Sequence, residues 1–583
     1  MEWFAKLKSL ELLMQSISMP EISPRSIPAA SVQHLRDSGY SPALAKIFAA
    51  RGITDSKQLD TTFAGLLPFD NLKNAGEMAR LLADAIAAQK KLMVIADYDA
   101  DGATACAVAV RGLRAFGAHI DFIVPNRFEY GYGLTPEIVQ LAAKEHPDIL
   151  ITVDNGIASV EGVAEANRLS MQVFITDHHL PGDTLPDAAC IVNPNQPGCT
   201  FPSKNLAGVG VMFYVLLALR AELRSRGLGT EDRGLRLVDL LDLVALGTVA
   251  DVVKLDQNNR ILVQQGLQRI RAGRACAGIN ALLQVAKKNP ARASSQDLGF
   301  TVGPRLNAAG RLDDMSLGIH CLLTDDAGSA LEIAAKLDAL NRERRSIESN
   351  MQDNALASLE HIDPKDNFSL TLFDETWHQG VIGILASRLK EKFHRPTIAF
   401  ARSNNGEIKG SGRSIAGLHL RDALDLVSKR HPALIKKFGG HAAAAGLSIA
   451  EADFGDFVDA FEQVAAELLS ETDLAQRIET DGALENAEMN LDVARILDAQ
   501  VWGQGFPAPQ FNDDFVVQNQ RVVGEKHLKL RLEAKGKIIE AILFGHNEPL
   551  PEQIHAVYSL SVNEYNGMQS VQLIVRHWHG KED

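Results

Sequence analysis

Three short stretches of this sequence bring acids and imidazoles close together: Asp97, Asp99 and Asp101 in DYDADG, Asp154 in TVDNG, and Asp177, His178 and His179 in ITDHHL. Alternation in DYDAD points its carboxylates to one side if the segment stays extended, and a turn would also converge them. Carboxylates crowded without a cation repel one another and their pKa values rise; a bound cation removes the conflict. Oxygen-rich sites with one or two imidazoles suit manganese or magnesium, whereas zinc favours sulfur and nitrogen. Two such ions, ~3.5–4 Å apart, clamp a phosphoryl group and activate water for attack on phosphorus. Each stretch alone is commonplace, since loop acids cap helices and VDNG is an ordinary turn. Their joint occurrence at successive strand ends is what points to a site.

The elements that must position them are legible in the hydrophobic pattern. From about Leu92, LMVIADYDADG reads as strand then loop and ATACAVAVRGLRAFG as a helix ending at Gly117. IDFIVP, DILITVDNG and MQVFITDHH repeat the strand, with helices PEIVQLAAKEH and SVEGVAEANRLS between them. This alternation predicts a parallel sheet covered by helices, with functional groups at the carboxyl ends of the strands. A long helix is expected from Ala327 to about Leu359, with Ile333, Leu337, Leu340, Ile347, Met351 and Leu359 on one face. A second α/β segment runs from FSLTLFDETWHQGVIGILASRL to FGGHAAAAGLSI, and the last hundred or so residues read as short alternating strands of a small barrel.

The chain has 583 residues, enough for several domains, and its 46% hydrophobic and 23% charged residues are ordinary for a globular protein. No apolar run is long enough to span a bilayer. The first residues, MEWFAKLKSLELLMQSISMP, mix charges into any apolar core and read as a peripheral amphipathic helix, or as leader sequence before a start at Met19. Cys106, Cys190, Cys199, Cys276 and Cys321 show neither CxxC pairing nor zinc spacing, so reduced thiols in a cytoplasmic protein are expected. The net charge of −14 argues against bulk affinity for nucleic acid but leaves room for a local basic groove. Candidates for such a groove are Asn126, Arg127 and Tyr130, in a run that also holds Phe128 and Tyr132, and Arg305, Asn307 and Arg311 around LNAAG. Further along, His378, Arg388, Lys409, Arg413, Gly440 and His441 surround glycine-rich turns, and GEKHLKLRLEAKGK carries Lys526, Lys529, Arg531, Lys535 and Lys537. Each has a plainer alternative: packing for the aromatic residues, a solvated face for the barrel lysines, and a helix entry with a capping histidine at Gly440 and His441.

In order, DYDADG, VPNRFEYGYGL, VDNG, TDHH and ALGTVADVV resemble the DHH phosphoesterase superfamily, and within it the bacterial single-strand-specific exonucleases. GPRLNAAGRLDDM, WHQGVIGILASRLKEKFHRP, KGSGRSI and FGGHAAAAGLS extend the similarity into the accessory DHHA1 domain, and WGQGFPAPQF opens what looks like the family's oligonucleotide-binding (OB) barrel. The resemblance implies an α/β fold with a parallel-sheet DHH domain, a long connecting helix, a second α/β DHHA1 domain and a C-terminal OB-like β-barrel. The expected divisions are an N-terminal extension at 1–40, the DHH domain at 41–325, the helix at 326–362, DHHA1 at 363–468 and the OB-fold at 469–583. It implies that Asp99 and Asp154 hold one cation, that Asp101, Asp154, His178 and Asp251 hold a second, and that Asp97 and Asp177 support or supplement them. His179 would contact the scissile phosphate or its leaving oxygen. Asp251, in GTVADVV, reads from spacing alone as a helix-end or loop carboxylate. Ile95 stands where some relatives carry a histidine.

The implied activity is 5′→3′ hydrolysis of single-stranded DNA to 5′ mononucleotides in recombination and repair, with two Mn or Mg ions. The implied setting is a cytoplasmic monomer, off the membrane, working with a RecQ-type helicase and a single-strand-binding protein. Two rival readings remain. A DHH phosphodiesterase for short oligonucleotides or cyclic dinucleotides would generally lack the barrel, and a non-catalytic single-stranded-DNA-binding replication factor would have lost metal ligands. A pyrophosphatase would need neither barrel nor groove.

Overall fold

A computed structural model of the chain describes residues 20–125, 133–228, 235–359, 366–403, 406–565 and 567–581. Apolar runs form five strands, β1 (Lys91–Ala96), β2 (His119–Ile123), β3 (Ile149–Val153), β4 (Gln172–Thr176) and β5 (Cys190–Val192). All neighbours are parallel, in the order β2-β1-β3-β4-β5. The sheet is covered by α1 (Ala100–Ala115), α2 (Pro136–Ala143), α3 (Val160–Arg168) and α4 (Gly208–Ser225), and α5 (Leu241–Ala250) packs on α1 and α4. Side chains alternate across β1: Leu92, Val94 and Ala96 pack into the core shared with α1, α4 and α5, while Met93 and Ile95 join Ile138 of α2 and Val163 of α3. A sheet buried on both faces explains why its strands read as nearly continuous apolar runs. Strand order reverses between β1 and β3, and in such sheets the crevice beyond that point is where ligands bind.

A π-helical turn at Leu298–Val302 leads into α6 (Gly303–Leu312), and the 32-residue α7 (Ala327–Ser358) follows. Its buried positions are Ala330, Ala334, Leu337, Asn341, Glu348, Met351 and Ala355, whereas Ile333, Leu340 and Ile347 are half-buried. Leu337, Met351 and, just past the helix, Leu359 are buried as expected, while small and polar side chains fill the rest of the stripe, with Glu348 held by Arg344 and Arg388.

The described residues divide into two compact units, 24–341 with those from 480 onward, and 342–479 with 20–23. In the second, β6 (Leu370–Asp374), β7 (Thr397–Arg402), β8 (Glu407–Arg413), β9 (Lys437–Gly440) and β10 (Ala444–Ala450) form a sheet ordered β9-β10-β8-β7-β6. Only the β6–β7 pair is parallel. α8 (Ile382–Phe393), α9 (Leu420–Arg430) and α10 (Phe454–Leu468) accompany it, with Phe400, Leu424, Phe457 and Phe461 in a core of their own. The helix entry considered for Gly440 and His441 is a β-hairpin. Gly440 pairs with Ala445 at φ 144°, and a side chain there would meet the Ala444 carbonyl at 2.4 Å. Only glycine fits that position.

The barrel belongs to the first unit. β11 (Phe511–Val523), β12 (His527–Ala534), β13 (Lys537–Leu543), β14 (Gln553–Tyr565) and β15 (Met568–Gly580) close in the order β11-β12-β13-β15-β14. The β13–β15 seam is parallel and the other pairs are antiparallel, a five-stranded arrangement of the OB type. Along β12, Leu528, Leu530, Leu532 and Ala534 face inward and Lys529 and Arg531 outward. The α/β class, parallel sheet, long helix, second α/β domain and terminal barrel are those expected from the sequence.

Candidate functional site

The loops after β1, β3 and β4 and the end of α5 deliver one cluster of acids and imidazoles. Asp99 is the N-cap of α1, its carboxylate accepting the N–H groups of Asp101 (2.9 Å) and Gly102 (3.0 Å). Such a cap contributes ~1 kcal/mol to the helix and holds the acid at the strand end. Asp101, in the first turn of α1, is fully buried and accepts N–H bonds from Gly208 (2.6 Å) and Val209 (2.9 Å) at the start of α4. Two helix N-termini thus face this loop, each favouring negative charge. Asp97 accepts the N–H of Tyr98 at 2.7 Å.

Asp154 follows β3 at φ 63°, a left-handed conformation that aspartate tolerates better than most residues, and is buried. Its neighbour Asn155 donates to the carbonyls of Ile95 (3.1 Å) and Val153 (2.9 Å), tying this turn to β1. His178 places Nε2 3.1 Å from Asp154 Oδ1 and 3.5 Å from Asp251 Oδ2. Asp251 is the C-cap residue of α5. The helix-end reading of its position is therefore correct as local structure, and the same position aims its carboxylate at the cluster.

Asp177 accepts the N–H groups of His178 (2.7 Å), His179 (3.1 Å) and Ile157 (2.9 Å), and the ring Nδ1–H of His179 (2.8 Å). That last bond fixes the imidazole's orientation and tautomer. Ligand atoms within 4.8 Å of one another fall into three overlapping groups among the described residues: Asp97, Asp99 and Asp154; Asp101, His178 and Asp251; and Asp154, His178 and His179. Asp177 is in none of them. Its oxygens brace the histidine pair, in keeping with a supporting place.

The electrostatics show the cost of crowding. Burial, then the Asp99 charge, pushes Asp101 up to about 7. Burial and the charges of Asp101, Asp99 and other acids hold Asp154 and Asp251 well above the usual carboxylate range. Burial would lower His179, but Asp177, Asp97 and Asp99 raise it to about 9. Burial would raise Asp177, yet the bond from His179 and the two histidine charges leave it below its ordinary value. A set of oxygen donors with one shared imidazole, destabilised by its own negative charge, is the donor chemistry that hard divalent cations match. The residues present fit such ions.

Glycines make this convergence sterically feasible, and sequence spacing did not single them out. A Cβ on Gly208 would lie 2.6 Å from Asp154 Oδ1, and one on Gly247 would lie 2.1 Å from Thr104 Oγ1 and 2.9 Å from Asp101 Oδ1. One on Gly310 would meet the Tyr98 carbonyl at 2.0 Å, and one on Gly102 the Asp97 carbonyl at 2.5 Å. Asn307 Oδ1 accepts the Ala100 N–H at 2.8 Å, so this residue braces the first acidic loop. Arg305 is buried, paired with Asp338 at 2.8 Å and bonded to the Thr301 carbonyl at 2.7 Å. Both were expected to touch a strand; the structure gives them these internal partners. Arg311 lies in the last turn of α6, half-buried. Asn126, Arg127 and Tyr130 lie outside the described residues.

In the second unit, Lys409 and Arg413 share the half-buried face of β8. Ser411 and Arg413 reach the start of α8, where a Cβ on Gly383 would lie 2.9 Å from both side chains. His378 Nδ1 accepts the Gly380 N–H just before that helix, and His441 is exposed in the β9–β10 turn. On the barrel, Lys526 is exposed, and Lys529 and Arg531 lie 3.3 and 3.6 Å from Glu540. Lys535 pairs with Asp513, and Lys537 donates to the carbonyls of Asn486 and Met489. Lys526 and Arg531 are exposed, whereas Lys529 is half-buried beside Glu540.

Comparison with known proteins agrees with this architecture. Residues 91–248 match the DHH family N-terminal domain, 366–467 the DHHA1 domain and 480–577 the RecJ OB domain. The chain is 48% identical over 549 residues to the single-stranded-DNA-specific exonuclease RecJ of Salmonella typhimurium, covering 92% of this chain and 95% of that one. It also resembles the crystal structure of Thermus thermophilus RecJ in complex with Mn2+, with a TM-score of 0.81, 30% identity and coverage of 97% and 80% of the two chains. The Mg2+ complex of that protein gives a TM-score of 0.75 at 29% identity, with coverage of 97% and 78%.

Proposed function

The chain belongs to the RecJ family of single-stranded-DNA-specific exonucleases, and on that premise we propose that it is a divalent-cation-dependent nuclease degrading single-stranded DNA from the 5′ end to 5′ mononucleotides. The observation that carries the reading is the meeting of three overlapping ligand groups at the carboxyl ends of β1, β3 and β4. Asp97, Asp99 and Asp154 would hold one cation, and Asp101, His178 and Asp251, with Asp154 alongside, the other. When bound, two Mn2+ or Mg2+ ions supply charge that draws in the substrate phosphate and activates the attacking water. The buried acids hold that charge in a water-poor setting where it acts strongly.

His179 does the remaining work from the chain itself. Asp177 orients the ring through Nδ1–H, and that bond and its charge favour the protonated imidazole. Nε2–H then donates to an oxygen of the scissile phosphodiester, stabilising the charge that develops as the bond to the leaving 3′ oxygen breaks. Within the second unit, Arg413, Lys409 and the N-terminus of α8 offer a positive surface suited to backbone phosphates, with the neutral ring of His378 just before that helix. The outward face of β12, with Lys529 and nearby Lys526, offers a second. The barrel favours a strand over a short oligonucleotide or cyclic dinucleotide as substrate, and the complete ligand set favours catalysis over strand binding alone. A role in repair and recombination in the cytoplasm, served by a helicase and a single-strand-binding protein, follows from the family likeness. No described helix is long and apolar enough to cross a membrane.

The test is digestion of one oligonucleotide, single-stranded or annealed, labelled at either end, with Mn2+ or Mg2+ added. Immediate release of labelled mononucleotide from the 5′ end of single strands is expected. Release from the 3′ end would overturn the direction, and equal attack on duplex the strand specificity.

A further inference from the structure

Burying a phenylalanine ring is worth ~1.5–3 kcal/mol, so one left in water beside a charged site calls for a reason. Phe300, in the π-helical turn before α6, is 78% exposed, more than any other large apolar side chain among the described residues. Its backbone is firmly held. A Cβ on Gly299 would sit 3.1 Å from Val249 Cγ1, and one on Gly303 would sit 3.2 Å from Ala250 Cβ, so the turn is pressed against the end of α5 that carries Asp251. On its other side α6 braces the first acidic loop through Asn307 and Gly310. π-helical turns of this kind recur at functional sites.

Val252 makes an independent point. It follows Asp251 at φ 62°, a position past a helix end that normally takes glycine or asparagine, and it is 62% exposed. A β-branched residue there costs ~1–3 kcal/mol, and burial does not offset it. Two elements that bound the acid cluster therefore each hold an apolar side chain out to solvent on a rigid backbone.

We propose that Phe300, with Val252 on the adjoining helix end, forms an apolar platform on which a nucleobase of the DNA strand stacks while its phosphate lies at the acid cluster. This rests on the nuclease reading above. A base in a single strand can offer its face to the ring, whereas a base in duplex is covered by its neighbours, so the platform also favours single strands. Base stacking on an aromatic side chain is worth ~1–3 kcal/mol and tolerates any sequence.

The experiment compares wild type, Phe300→Ala and Phe300→Trp in Mn2+ on single-stranded oligonucleotides that carry bases throughout or abasic sites over the first several nucleotides. Phe300→Ala is expected to lose about 5- to 150-fold in kcat/KM on the base-bearing strand, chiefly through KM. It should lose little on the abasic strand, and Phe300→Trp should restore the rate on the base-bearing one. An unchanged rate for Phe300→Ala on the base-bearing strand, or the same loss on both strands, overturns the platform. Failure of the wild type to degrade either strand overturns the nuclease reading instead.

Discussion

Gly208→Ala tests whether close packing builds the acid cluster. The added methyl carbon would lie 2.6 Å from both Asp154 Cβ and Oδ1, against the 3.4 Å at which ordinary contact begins, an overlap of about 0.8 Å. Neither side yields easily. Asp154 sits in a left-handed turn, and the backbone N–H of Gly208 is itself bound to Asp101 at 2.6 Å. Relief therefore moves the Asp154 carboxylate or draws the start of α4 off Asp101, by an amount close to the overlap. Misplacement by ~1 Å at a reacting centre costs on the order of 100-fold in rate, and overpacking costs ~1–3 kcal/mol in stability. The assay is release of nucleotide from a 5′-labelled single strand across a Mn2+ titration, with circular dichroism melts in parallel. A fall of about 100-fold, with a weaker Mn2+ response and a cooperative melt, is expected. Gly76→Ala, at an exposed position where nothing lies within 4 Å of an added Cβ, serves as control and should leave activity intact. Wild-type rate and Mn2+ response in Gly208→Ala would refute the reasoning.

Two further outcomes follow from buried charge. Arg51 and Asp481 form an ion pair at 2.7 Å with 0% and 1% side-chain exposure, so Arg51→Ala strands a buried carboxylate and should destabilise the first unit by ~3–5 kcal/mol in denaturant unfolding; a change under ~1 kcal/mol would contradict this. Stability of the metal-free protein should fall as pH rises through about 7. The Asp101 pKa is raised from 3.8 to about 7 in the folded state, so folded protein binds the extra proton between those values, and its stabilising effect is full below about 4 and lost above about 7. Mn2+ should therefore raise the melting temperature more at pH 8 than at pH 5 and release protons on binding; a Mn2+ shift larger at pH 5 would contradict the assignment.

The sheet was legible because both of its faces are buried. Strands such as ILITV are apolar apart from one buried threonine, and the acids that follow them mark where the apolar run stops. The barrel was legible for the opposite reason, since β12 alternates between leucines turned inward and charges turned outward. The three-residue β5 was not foreseen, being too short for any periodicity to register. Within the site, spacing reached the groups from Asp97 to His179 because they stand just past the ends of β1, β3 and β4, which are neighbours in the sheet. Asp251 came from family likeness alone: its local signal is that of any helix end, and only tertiary packing points it at His178. Gly208, Gly247 and Gly310 were missed because what they touch lies far away in sequence, a contact no local pattern encodes. Arg305, Lys535 and Lys537 show the converse limit. Their charge was plain, but their partners Asp338, Asp513 and the carbonyls of Asn486 and Met489 were not. The hairpin at Gly440 was open to a helical reading because an alanine run favours helix, and backbone pairing with β8 and β9 decided otherwise.

The central claim is that overlapping acid groups form one hydrolytic metal centre, and Asp154 is an acid that two of them share. The direct measurement is Asp154→Ala against wild type, read as Mn2+ binding by calorimetry, single-strand binding, and release of 5′-labelled nucleotide from the same preparation. Loss of hydrolysis with weakened Mn2+ binding, while strand affinity and the cooperative melt persist, is the predicted result. Wild-type hydrolysis with unaltered Mn2+ binding would place the chemistry elsewhere in the molecule.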